Sequence, residues 1–118
     1  LISPIRDRRT FAALRADGVR ARSGPLAATL LVEEGASGTR VAFAITKRVG
    51  GAVQRNRLRR RLRAVISDLD RTTSGVVPSG ALLVSAGPDA ALRGTLELRN
   101  DVERLFAALQ RRIDGAAR

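Results

Sequence analysis

Between Lys47 and Arg63 the chain carries eight fixed cations in seventeen residues: Lys47, Arg48, Arg55, Arg57, Arg59, Arg60, Arg61 and Arg63. No acid falls among them, and none occurs between Glu34 and Asp68. Surface charge runs ordinarily mix both signs, because interspersed acids relieve self-repulsion. Here the repulsion is left standing, which is expected where a polyanion completes the surface, and nucleic acid is the first candidate. The spacing sharpens this. Arg55/Arg59 and Arg59/Arg63 are like-charge pairs four residues apart, each costing an isolated helix roughly 0.2–0.5 kcal/mol. They also crowd the start of a helix, where the macrodipole disfavours cations. Gly50-Gly51 directly before this helix permits close backbone approach, and free N–H groups at a helix start bind phosphate. The segment is not a Walker loop, because the spacing and the Lys-Ser/Thr ending are missing.

Protein-borne catalysis has little to work with. The chain has no Cys and no His, which removes thiol chemistry, the usual general base and the commonest zinc ligand together. Its 11 carboxylates are scattered, and the basic segment holds none, so a two-metal nuclease site built from protein ligands is not expected. The aromatic residues are Phe11, Phe43 and Phe106. Phe43 and Phe106 fall in apolar stripes and read as core. So few aromatics argue against a surface that stacks successive bases, and favour recognition of backbone and shape.

The elements that must position the basic run follow from periodicity. A length of 118 residues, 44% of them hydrophobic, predicts one domain over 1–118 with a real core. The net charge is +11, from 21 arginines, one lysine and 11 acids. Arginine's planar fork suits bidentate phosphate contact, although a GC-rich genome also favours it over lysine. No apolar run approaches a membrane span and no signal-peptide core is visible, so a cytoplasmic location is expected. Residues 10–17 predict a short helix capped by Thr10, with Phe11 and Leu14 on one face and Gly18 at its C′ position. Leu26–Glu33 and Arg40–Thr46 read as two strands of an antiparallel hairpin, joined by the turn-like stretch 34–39. A further strand at 19–23 is an option. The basic helix is expected over Ala52–Asp70, with Leu58, Leu62, Val65, Ile66 and Leu69 in one apolar sector. Residues 71–79 read as a loop, 81–86 as a short strand, 87–89 as a turn and 95–113 as a final amphipathic helix. The order is α-β-β-α-β-α: an α+β sandwich with helices packed on a small, mainly antiparallel sheet.

The stretch Thr46-Lys47-Arg48-Val49-Gly50-Gly51-Ala52-Val53-Gln54-Arg55-Asn56-Arg57-Leu58-Arg59-Arg60 resembles the signature of the bacterial ribonuclease P protein subunit. That signature is a basic pair after a strand, Gly, Ala-Val, then Arg-Asn-Arg and further cations. The resemblance covers the element order from Thr10 to about Arg112. It implies a ribonuclease P protein-like fold, whose strand-helix-strand crossover is left-handed against the general rule. It further implies the small subunit of a ribonucleoprotein that removes 5′ leaders from precursor tRNA. The catalytic RNA would hold the Mg²⁺ ions and perform the chemistry, with no catalytic residue and no metal ligand on the protein. The partners implied are that RNA and the precursor leader, with no membrane and no protein partner. RNA contact would fall to Lys47, Arg48, Arg55, Asn56, Arg57, Arg59, Arg60 and Arg63; for Asn56, hydrogen bonding at the helix start is the alternative. Phe11 would line a leader cleft between the first helix and the sheet. Where relatives carry further aromatics in that cleft, this chain has Arg15 and Thr29, so leader contact should lean on charge more than on stacking.

Two rivals share the basic helix. One is a ribosomal or assembly protein that binds RNA without a part in catalysis. The other is a DNA-binding protein with the helix in a major groove, although no helix-turn-helix spacing accompanies it.

Overall fold

A computed structural model describes residues 2–33, 35 and 38–116. The elements are β1 (Ile2–Pro4), α1 (Arg8–Asp17), β2 (Val19–Ser23), β3 (Leu26–Leu31) and β4 (Thr39–Ile45), then a 3₁₀ turn (Lys47–Val49). After it come α2 (Ala52–Thr72), β5 (Gly80–Ala86), α3 (Pro88–Ala91) and α4 (Thr95–Ala116). The five strands form one sheet in the order β1-β4-β5-β3-β2.

The α+β sandwich is present, and the expected helices and strands recur close to their predicted bounds. The strand pairing differs in two respects. First, β3 and β4 do not form a hairpin, because β5 lies between them, antiparallel to β3 and parallel to β4. Gly80–Ala86 is apolar and largely buried, which suits the central position; a strand solvated on one face would not. The hairpin belongs instead to β2 and β3, turned at Gly24-Pro25. Glu34, Ala36 and Ser37 of the turn predicted between β3 and β4 lie outside the described residues. Second, β1 runs parallel to β4, so the sheet is mixed, with two parallel and two antiparallel pairings, rather than mainly antiparallel. The predicted turn at 87–89 is the start of α3, with Pro88 at the first helical position, where its missing N–H costs nothing.

Strand alternation divides the sheet into two faces. On one, Leu26, Ala28, Leu30, Val41, Leu82 and Val84 pack against the apolar stripes of α2 and α4, forming the main core. On the other, Leu31, Ala42, Ala81 and Leu83 receive Ile5, Phe11 and Leu14 of the α1 region. The helix that carries the charge is therefore anchored by its own apolar side.

The attachment of α1 differs in detail from the sequence expectation. Asp7, one turn earlier than Thr10, is the N-cap: its carboxylate accepts from the Thr10 backbone N–H at 3.0 Å and from the Thr10 hydroxyl. Arg40 of β4 donates to Asp7, to the Thr10 hydroxyl and, at 3.0 Å, to both oxygens of Glu33. Gly18 ends the helix with φ −70°, not in the left-handed region. A Cβ there would lie 2.3 Å from the Thr29 side chain, so closeness to β3 selects glycine.

Two carboxylates are held below their ordinary pKa. For Asp7 the first cause is the Thr10 hydroxyl hydrogen bond, with Arg40 adding to it. For Asp68 it is the Arg99 guanidinium, with Arg71 adding to it. A depressed carboxylate stabilises the fold fully above its unfolded pKa, near 3.8, and that contribution is lost as pH falls through the folded value. Urea midpoints measured between pH 5 and pH 2 should therefore fall with acidification. The Asp7→Asn/Asp68→Asn double variant should have a lower midpoint at pH 5 and a flatter pH profile.

Candidate nucleic-acid interface

The run from Lys47 to Arg63 leaves β4, makes one 3₁₀ turn and enters α2. Gly50 has φ +145°, a backbone state that side chains rarely adopt, and so turns the chain into the helix. Gly51 is the N-cap and supplies no side-chain hydrogen bond. The first intrahelical bond runs from the Arg55 N–H to the Gly51 carbonyl. The N–H groups of Ala52, Val53 and Gln54 thus face the open helix start beside exposed Lys47 and Arg48.

The cations of α2 occupy three aspects of the helix. Arg55, Arg59 and Arg63 form one row at i, i+4 and i+8 on the flank towards β4. Arg63 shows the direction: its guanidinium carbon lies over the Phe43 ring of β4, 5.6 Å from the centroid. Asn56 accepts a hydrogen bond from Arg59 at 2.7 Å, which fixes that guanidinium. It lies a full turn inside the helix, so the helix-start role is not the one it takes. Arg60 stands exposed on the crest. Arg57 and Arg61 lie on the flank towards α3 and α4, where they border a groove with Arg93 and Gly94. Arg61 donates to the Arg93 carbonyl and so fastens α2 to the α3–α4 junction.

None of these eight cations has an ion pair among the described residues; the arginines that do are Arg40, Arg71, Arg93 and Arg99. The Arg55 Nε atom is buried and has no hydrogen-bond partner among the described residues. An unmet buried donor costs about 1–3 kcal/mol. Guanidinium groups without ion pairs among the described residues, helix-start N–H groups and a stretch of sequence without acids together make a surface suited to a phosphate backbone.

On the opposite sheet face stand Phe11 and Arg15 of α1 and Thr29 of β3. Phe11 is half-buried in the minor core, Arg15 is exposed, and Thr29 faces Gly18. Beside them runs a groove of about 360 Å³, with Ala27, Thr29 and Ser85 as its floor and Arg20, Arg22 and Arg112 at its rim. A second hollow shares Arg22, Ala27 and Ser85 and reaches Thr46 and Arg48, joining the groove to the approach to α2. Sequence reasoning missed these three rim arginines. Arg20 and Arg22 carried a readable signal, since residues two apart in a strand share a face. Arg112 carried none, because only the packing of α4 along β2 brings it there.

These features define a small α+β module with a cationic surface around one helix and a basic groove across its sheet. Residues 3–110 match the ribonuclease P family model. The chain is 34% identical over 113 residues to the ribonuclease P protein component of Nocardioides sp., covering 94% of each. It is 39% identical over 85 residues to that of Streptomyces bikiniensis, covering 72% of this chain and 64% of the relative's length. A mutant of the Staphylococcus aureus RNase P protein superposes with a TM-score of 0.77 at 18% identity, covering 91% of this chain and 87% of that one. The chain belongs to the ribonuclease P protein family.

Replacing Arg55 and Arg59 by Ala should weaken RNA binding and flatten its salt dependence, by about 0.7–0.9 log units of slope per lost phosphate contact. Arg71→Ala, which removes a cation already paired with Asp68, should leave the slope unchanged. Filter binding across a salt series measures both.

Proposed function

We propose that this chain is the protein subunit of a ribonuclease P ribonucleoprotein. It binds the catalytic RNA through α2 and holds the 5′ leader of precursor tRNA in the groove on the α1 face. The observation that carries this reading is the family's basic motif, whose cations from Lys47 to Arg63 lack acidic partners among the described residues.

The chain's part is electrostatic and positional. Bringing a leader against a large RNA sets two polyanions together. Fixed cations between them replace counterions that would otherwise have to be gathered from solution. Lys47, Arg48, Arg55, Asn56, Arg57, Arg59, Arg60 and Arg63 contact the catalytic RNA. Phe11, Arg15 and Thr29, with Arg20, Arg22 and Arg112, line the path of the leader. The floor of Ala27, Thr29 and Ser85 is too small to stack bases, so leader affinity rests on phosphate contact and depends little on leader sequence.

Among the described residues no three His, Cys, Asp or Glu side chains gather. In this proposal the Mg²⁺ ions and the hydrolysis of the phosphodiester belong to the RNA.

The deciding experiment is cleavage of precursor tRNA by a bacterial ribonuclease P RNA at low Mg²⁺, with and without this protein. Cleavage requiring both is the expected result. Binding without restored cleavage would transfer the chain to the non-catalytic RNA binders. Arg20→Ala/Arg22→Ala should raise the KM for precursor with a long leader, with little effect on precursor carrying a one-nucleotide leader.

A further inference from the structure

Arg63 belongs to the α2 row, yet its environment differs from that of Arg55 and Arg59. Its guanidinium is held over the ring of Phe43, a half-buried residue on the sheet face beneath α2. Among the described residues the adjoining sheet edge is open. There β1 pairs with β4 from Thr39 to Val41, and the last bond on that side is from the Ile5 N–H to the Val41 carbonyl. Along a parallel strand, backbone groups two residues apart point the same way. The N–H and C=O of Phe43 and Ile45 therefore point outward on the side β1 has left. Thr46, of the other parity, donates to the Ala86 carbonyl on the β5 side, which agrees.

We infer that Arg63, Phe43 and this open edge of β4 form a receptor for one unpaired nucleobase of the bound RNA. The inference rests on the RNA-binding part of the functional reading above. Unstacked bases are recognised by stacking on aromatic or guanidinium planes and by hydrogen bonds along their edges. A guanidinium held over a ring has its outer face free to take a base. The paired donor and acceptor of the Phe43 backbone then stand beside it to meet the base edge. A phosphate would instead be met by the N–H rim of a freely pointing arginine, the condition of exposed Arg60. A peptide strand would use the same edge groups. The neighbouring cations Arg59 and Arg60, without ion pairs among the described residues, favour a nucleotide, whose phosphates they would meet beside the base.

The substitution that separates the two contacts is Arg63→Lys, which keeps the charge and removes the plane. With a bacterial ribonuclease P RNA and the full chain, Arg63→Lys should bind about 5- to 100-fold more weakly. Its salt slope should match the wild-type one, because no phosphate contact is lost. Chemical probing should find one unpaired base that the wild-type protein protects and that becomes reactive with the variant. Phe43→Leu should reproduce both effects, with a melting curve confirming that it folds. Wild-type affinity and an unchanged protection pattern for Arg63→Lys would overturn the base receptor and leave the functional reading intact. Failure of the wild-type chain to bind the RNA would overturn both.

Discussion

The burial of Leu58, Leu62, Val65, Ile66 and Leu69 against the sheet and α4 is the interaction on which the rest depends. Each such side chain contributes about 1.5–3 kcal/mol when fully buried, an upper estimate because the unfolded chain already hides some of this surface. The like-charge pairs on the outer face cost only roughly 0.2–0.5 kcal/mol each. Burial wins by an order of magnitude, so α2 can stay helical while bearing charges that would unsettle it in isolation. The cationic surface persists without a ligand because the apolar side of the same helix secures it.

The arginines fall into two populations that composition cannot separate. Arg40 fastens α1 to β4 and Glu33, Arg99 and Arg71 meet Asp68, and Arg93 meets Glu97 and Asp101. These are internal fastenings, spent within the fold. The arginines from Arg48 to Arg63 have no acidic partners among the described residues; Arg59 is held by the Asn56 amide oxygen and Arg61 by a carbonyl. What directs a given arginine outward is therefore the distribution of acids. The acids cluster on the later turns of α2, on α4 and around α1, leaving the first half of α2 with none.

How much was legible follows from the range of each signal. The α2 and α4 stripes repeat over many residues, so their helices were readable almost to the residue. The sequence neighbourhood of 47–63 also disclosed most of the candidate interface, because its charge and spacing are local. Strand pairing was not readable. Leu26–Leu31 and Thr39–Ile45 look like a hairpin to any local rule, and only the apolar character of distant Gly80–Ala86 takes β5 between them. Arg112 beside Arg20 and Arg22 is of the same kind, a neighbourhood made by packing. Asp7 outcompeting Thr10 for the cap shows the opposite limit: the helix began one turn earlier than its apolar residues signal.

The central place of β5 also sets the order in which the molecule can be assembled during synthesis. β3 and β4 are both made before β5 and share no edge with each other; the strand that joins them is made only after α2. Until then α2 has no completed sheet to receive its apolar side. The most cationic segment is thus made before the strand that completes the surface restraining it. Pairings between segments so far apart in sequence are the slow ones in folding. The interval in which this helix is charged but unanchored is therefore written into the connectivity of the sheet.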